Sequence, residues 1–437
     1  MSRRVTRSSR PGRAALIAAT ALLAAAIAVA GLAVAPSAAW AHAGLEESEP
    51  AAGARLERSP EAVLLTFAED PDPQLSLIRI VDQSGRAVSG ASDALPVEGE
   101  PAQLSVTLSE TLPRGIYTVN WLVVSAEDGH VEDGLFTFGV RETPLPGSAV
   151  EVPLRHTSAW TSLFAAAGRW LLYAGLVLLV GAASTGLFVL GGRLPAGAVK
   201  VLYGALMAAV AGLCLMAAAE RVMVGAPSLL PLFLTSEGKL LVALGAVLLA
   251  CAVAVVAFDL WPGRAGLIAI GSTALLAMLV HVWAGHAASS YLRPLGVAAQ
   301  WVHMVAIGTW VGGLVWLLLG IRGVQTPVHA AAVRVFSHVA TVALVVVLAT
   351  GSLRAIVQVG SVGGLFDTSY GVTLLVKLGL VAVLVALGAV NHYRLVPAFS
   401  AADTTYRPFS LNSRGEIVVA TAVLATTAVL VGLAPPL

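Results

Sequence analysis

Along the chain, hydrophobic and polar positions fall into three textures. The first is amino-terminal: Arg3, Arg4, Arg7, Arg10 and Arg13 precede an apolar run from Ala14 to Ala35, and Ala39-Trp40-Ala41 follows it. That order describes a signal segment at 1–41, whose cleavage after Ala41 would leave His42 first. About 22 apolar residues can also span a bilayer as an uncleaved anchor, so both readings stand. From residue 42 to about 145 the pattern alternates. "AVLLTFAE" (62–69), "LSLIRIVD" (75–82), "AQLSVTLSE" (102–110), "GIYTVNWLVVS" (115–125) and "DGLFTFGV" (133–140) predict strands, separated by turn signals such as Asp72-Pro73, Ser84-Gly85 and Pro113-Arg114-Gly115. Short strands at regular spacing predict a small antiparallel all-β sandwich with Trp121 and Phe138 in its core.

The third texture begins after a linker at 146–158. Apolar runs near or above the roughly 20 residues that cross a bilayer predict an all-α polytopic domain at 159–434. Its spans fall at about 159–190, 198–219, 238–258, 264–284, 294–320, 330–354, 370–391 and 413–434, eight in all. With the sandwich outside, the four inner loops carry Arg193, Lys200, Arg264, Arg322, Arg334, Arg394, Arg407 and Arg414. The three outer loops and their margins carry only Arg221, Lys239, Arg293 and Arg354. This bias agrees with the positive-inside rule and predicts a multi-pass plasma-membrane protein with its amino-terminal domain extracellular or periplasmic.

Composition sharpens this picture. Of 437 residues, 57% are hydrophobic and 12% charged, which places most of the chain in lipid. Net charge is +1 from 26 basic and 25 acidic residues, so no global field draws nucleic acid. No G-x-x-x-x-G-K-[ST] occurs, so no nucleotide partner is expected. Cys214 and Cys251 both lie in apolar runs, and no disulfide framework is expected outside the membrane.

The sandwich region holds two histidines, His42 and His130. Asp128 and His130 are two apart, so on an extended stretch both side chains project to one face. A free amino-terminal His42 adds its α-amine and ring nitrogen. Three nitrogens and one oxygen suit the tetragonal geometry of Cu(II). His130 as a polar loop residue and His42 as an accident of the cleavage site are the competing reading.

"HAGLEESEPAAGARLERSPEAVLLTF", "VDQSGRAV", "GIYTVNWLVVSAEDGH" and "GLFTFGV" resemble the CopC family of periplasmic copper-binding proteins across residues 42–140. The resemblance implies a cupredoxin-like, immunoglobulin-like β-sandwich that holds Cu(II) through His42, Asp128 and His130. Some members carry a second, methionine-rich Cu(I) site. Here all six methionines lie outside the sandwich, so only Cu(II) is expected in it.

Within the spans, polar residues are costly and each is a candidate for function. His281 falls near the outer end of the fourth span and His286 just beyond it. His303 falls about 13 Å below the outer end of the fifth span, and His338 about eight residues from the inner end of the sixth. His303 and His338 are expected to meet near mid-bilayer, fed by the outer pair. Trp310, seven residues after His303, shares its face, and Gly308 with Gly312 forms a small-residue surface for a neighbouring helix. His281 reads equally as an interfacial residue beside Trp283, and His338 as a partner in a hydrogen bond between helices. A histidine pair at similar depth would also suit a b-type haem, making an electron-transfer protein the rival reading.

"GHAA", "WVHMVAIGTWVGGL", "RVFSHVA", "SYGVTLLVKLGL" and "GAVNHYRL" resemble the CopD family of inner-membrane copper-resistance proteins over roughly residues 155–434. That resemblance implies copper movement across the membrane, generally uptake, with Cu(I) as a form the membrane part can carry. Copper ions and the bilayer are thus the expected partners, and no enzymatic activity is expected.

Overall fold

The computed structural model describes residues 45–126, 131–152, 154, 159–226, 228–283, 293–322, 327–359, 364–401 and 406–433, apart from Gln74 and Pro146. His42, Asp128, His130 and His286 lie outside the described residues. The chain divides into two compact units. One holds the sandwich together with residues 217–241, and the other the remaining helical residues.

Among the described residues, eight strands build the sandwich: β1 (Leu45–Glu49), β2 (Arg55–Leu56), β3 (Ala62–Phe67), β4 (Leu77–Val81), β5 (Leu95–Val97), β6 (Glu100–Thr107), β7 (Gly115–Val124) and β8 (Val131–Val140). They form two four-stranded sheets ordered β1-β3-β6-β5 and β2-β8-β7-β4. β3 shows why its sequence makes a strand here, since its burial alternates residue by residue and Val63, Leu65 and Phe67 are sunk in the core. Trp121 and Phe138 lie in that core as expected, Trp121 edge-on to Phe67 at 5.5 Å and Phe138 stacked on Tyr117 at 5.7 Å. The sheets are not wholly antiparallel, because β2 pairs parallel with β8. β1, β2 and β5 were not expected. β1 reads LEESE, β2 is two residues long and β5 contains a proline, so none carries an alternating hydrophobic signal.

β7 is buried on both faces, which an ordinary two-layer sandwich does not require. Its inner face, Tyr117, Val119, Trp121 and Val123, enters the core. Its outer face is covered by the segment that follows the sandwich. Val150 donates its backbone N–H to Thr118 Oγ1 at 2.9 Å, and Asn120 Nδ2 donates to the Val150 carbonyl at 3.1 Å. The Val152 N–H returns to Asn120 Oδ1 at 3.1 Å. Leu154 then joins Leu75, Leu122 and Val124 in an apolar cluster with Val224, Ala226 and Leu232. Asn120 thus stands in for a neighbouring strand's peptide group. Asn120→Ala strands the Val150 carbonyl and Val152 amide, and is expected to destabilise the sandwich by about 1–3 kcal/mol, read as a lowered melting temperature in calorimetry.

Among the described residues, eight helices are long and apolar enough to cross a membrane: Trp160–Phe188, Ala198–Val224, Gly238–Leu260, Arg264–Trp283, Leu295–Gly320, Pro327–Ala355, Ser369–Ala398 and Arg407–Leu430. They are numbered here as the first to eighth spans, and the chain is a multi-pass membrane protein. The eighth begins about six residues earlier than its hydropathy suggested, because Arg407, Asn412, Arg414 and Glu416 dilute the apolar signal without ending the helix. Two spans contain a π turn, Gly308–Gly312 in the fifth and Asn391–Leu395 in the seventh. Such turns insert a residue into the helical repeat and recur at functional sites.

The small residues of the fifth span act as expected. A Cβ at Gly308 would press on the Val180 side chain, and one at Gly312 would sit against the backbone of Val177 and Gly181 in the first span. The two helices therefore meet backbone to backbone. Trp310, between these glycines, is buried with Ala306, Ala343, Val347, Leu384 and Ala420.

Candidate functional site

In the sandwich, β1, β7 and β8 are the described strands that flank the expected metal ligands in sequence. β1, which begins three residues after His42, has Leu45 paired with Phe67 at the end of β3. The chain then runs from Phe67 to Pro71, which bridges Ser125, while Ala126 donates its N–H to the Asp70 carbonyl at 2.8 Å. β7 and β8 are antiparallel, with Val124 opposite Val131, so residues 125–130 join them at this end. The beginning of β1 and the beginning of β8 therefore share one end of the sandwich.

One residue at this end escaped the sequence reading. Glu69, next to Asp70, is 9% exposed, and its Oε2 is buried without a hydrogen-bond partner among the described residues. Buried carboxylate oxygens are rarely left so. Its signal was present in "FAEDPDP", but three acids in a turn read as solvated surface.

In the helical unit the expected histidines separate. His303 Nδ1 hydrogen-bonds Thr350 Oγ1 at 2.8 Å, and a Cβ on Gly351 would touch its ring. His338 lies twelve residues before Thr350 on the same helix, about 18 Å along its axis, and is exposed on the bundle surface. The expected meeting of His303 and His338 does not occur. The periodicity of two isolated spans gives depth but not rotation, and depth alone had suggested the encounter. The pair is accordingly not available as the two axial ligands of one haem.

His303 and Trp310 do share a face, since both address the sixth-span stripe that carries Ala343, Val347 and Thr350. His281 Nε2 lies 3.0 Å from Tyr173 Oη, and the rings meet edge to face at 5.3 Å. Around these histidines stand basic groups. Lys377 and Arg354 lie within electrostatic reach of His303, and Arg169 within reach of His281. Arg354 Nη1 donates to Gln300 Oε1, and Arg169 Nε donates to the Ala428 carbonyl at 2.9 Å in the last turn of the eighth span. A fixed positive charge opposes a second cation in proportion to that cation's charge. Among the described residues, no group of three or more His, Cys, Asp or Glu is placed to hold a metal ion.

A second polar cluster was missed. Asn391, the first residue of the seventh-span π turn, donates Nδ2 to Ser413 Oγ at 3.0 Å and to Glu416 Oε1. All three residues are buried. His392, the next residue, turns onto the sixth span, with Nδ1 2.8 Å from Ser337 Oγ. Glu416 escaped notice because a span starting at 413 put it at the membrane edge, whereas the helix places it about ten residues in.

Residues 45–141 match the CopC domain, and residues 330–430 match Copper resistance protein D. The chain is 26% identical over 427 residues to Copper transport protein CutJ of Bacillus subtilis (strain 168), covering 92% of this chain and 76% of that one. Protein YobA of Escherichia coli (strain K12) is 37% identical over 105 residues, 23% of this chain and 81% of YobA. Copper resistance protein D of Pseudomonas syringae pv. tomato is 30% identical over 156 residues, 34% of this chain and 50% of that protein.

Proposed function

We propose a function from one premise: the chain belongs to the copper-resistance proteins that join a CopC domain, here residues 45–141, to a copper resistance protein D domain, here 330–430. In this reading the protein captures Cu(II) outside the cell and moves copper inward across the plasma membrane. The observation that carries it is the likeness to CutJ, a copper transport protein, over 92% of the chain. A part-chain likeness would have left the two halves with separate roles.

Capture falls to His42, Asp128 and His130. Three nitrogens, counting the α-amine, and one carboxylate oxygen favour Cu(II) over hard cations. What supports this set is the shared end of the sandwich from which β1 and β8 start. Glu69 adds a buried oxygen at the same end, suited to binding the ion or accepting a ligand imidazole's N–H. The sandwich has no thioether to hold Cu(I).

Passage falls to His281, His286 and His303, with Met304 next to His303 in the chain. His338 is left out because it is exposed and far from His303 along the helix. The basic flank of His303 repels a divalent ion about twice as strongly as a monovalent one. The travelling ion is therefore Cu(I), formed when Cu(II) takes one electron from an external reductant before it enters the spans.

Copper accumulation tests the reading. Cells producing the full chain are expected to gain copper over cells producing His303→Ala at equal membrane abundance, and the gain is expected to be larger with reductant present. Equal accumulation in both would remove transport through His303. Accumulation that falls with added reductant would remove Cu(I) as the travelling form.

A further inference from the structure

Glu416 is a carboxylate in the body of a span, 3% exposed, and no ion pair reaches it among the described residues. An isolated ionised carboxylate in an apolar interior costs far more than one hydrogen bond returns, so such a group stays neutral or takes up a cation. Its polar surroundings are small and specific. Asn391 gives Nδ2 to both Glu416 Oε1 and Ser413 Oγ, while Asn391 Oδ1 is buried with no partner among the described residues. Asn391 itself is 7% exposed and opens the seventh-span π turn.

We propose that Glu416, Asn391 and Ser413 form a proton-binding site inside the membrane domain, with Glu416 as the group that gains and loses the proton. When Glu416 is ionised, the Asn391 amide donates to it through the Nδ2–Oε1 contact. When a proton arrives on the carboxylate, Glu416 becomes the donor, and a half-turn of the Asn391 amide presents the orphaned Oδ1 to accept it. One proton enters, the half-turn breaks both Nδ2 bonds, to Glu416 Oε1 and to Ser413 Oγ, and the turned Oδ1 accepts in their place from the Glu416 O–H and the rotatable Ser413 hydroxyl. The amide is the residue type this exchange needs, since it alone offers a donor and an acceptor at opposite ends of one rotor. The π turn supplies the position, because the inserted residue turns Asn391 towards the eighth span while the next residue, His392, turns towards Ser337 of the sixth.

Other charged or titratable groups stand on the elements packed around Glu416. His392 and Arg394 are on the π turn, Arg407 and Arg414 on the eighth span itself, and Arg322 just beyond the fifth. His329, Arg334 and His338 are on the sixth. Arg414 and Arg322 instead line a groove with Ser410, Leu318 and Ile417. His392 is the one that could mimic the effect, so it provides the control.

Infrared difference spectroscopy of the full chain in liposomes, taken across steps in pH without metal, tests the site. The wild type is expected to show a protonated-carboxyl C=O band that grows on acidification. Glu416→Gln is expected to abolish the band, Glu416→Asp to restore it at a shifted frequency, Asn391→Leu to move the pH at which it appears, and His392→Ala to leave it in place. Absence of the band in the wild type, its survival in Glu416→Gln, or its loss in His392→Ala alone would overturn the proposal. Should Glu416→Gln fail to fold, the Asp and Leu variants decide by the same readout. No copper enters the measurement, so the site stands or falls apart from the transport reading.

Discussion

Replacing His130 with alanine is expected to weaken Cu(II) binding by more than the roughly 10–100-fold that loss of an outer partner costs a metal site. In the proposed site the variant would lose one imidazole of four donors, leaving a weak water ligand in its place. Competitive titration of the full chain against a Cu(II) chelator measures the loss, and paramagnetic resonance should show one nitrogen fewer. A single glycine placed before His42 is expected to have a comparable effect while keeping every side chain, because it removes the α-amine from reach. Glu69→Gln is expected to fall within the 10–100-fold range, since that residue completes the site rather than defining it. Copper binding should also weaken as pH falls, because each ligand imidazole must be neutral, with one unprotonated nitrogen, to hold the ion. An unchanged Cu(II) affinity in His130→Ala, or in the glycine-extended chain, would show that the ion is held elsewhere.

The second large effect belongs to the bundle. Gly312→Val is expected to destabilise the helical unit by about 3 kcal/mol, the upper end of what overpacking costs, because its first new carbon meets the Val177 backbone rather than a side chain that can turn away. Separating the first and fifth spans also moves the π turn that seats Trp310, so copper movement should fall with stability. Thermal unfolding in detergent, followed by tryptophan fluorescence, reads this through Trp310 and Trp316, both buried near the contact. Gly204 supplies the comparison. It too is a glycine in a span, but a Cβ there meets nothing within 4 Å. Gly204→Ala is therefore expected to be neutral or to stabilise by up to about 1 kcal/mol, from helix propensity alone. Equal destabilisation in both variants would mean that glycine content, and not the backbone contact, holds these helices.

Much of this was legible in the sequence because it depends on local periodicity. Alternation over 62–67 and 115–124 marks strands wherever the chain puts them, and long apolar runs mark spans, since a bilayer demands length and internal hydrogen bonding of any segment that crosses it. The small-residue spacing of Gly308 and Gly312 likewise announced a close helix contact, although not that the first span would make it. The proposed outer ligands rest on sequence alone, since His42, Asp128 and His130 lie outside the described residues.

Tertiary structure decided what periodicity cannot encode, namely rotation and neighbours. Depth along two helices suggested that His303 meets His338; rotation and axial offset give it Thr350 instead. Asn120, in a strand that alternation alone leaves half exposed, became a buried hydrogen-bonding hub only because residues 150–152 fold back over it. Glu416 looked like a residue at a span's edge until the helix was found to start at Tyr406 and to carry it inward to Asn391. Each of these depends on contacts between residues far apart in the chain. A hydrophobic pattern specifies which face of an element is covered, whereas the covering partner is chosen by the packing of the whole fold.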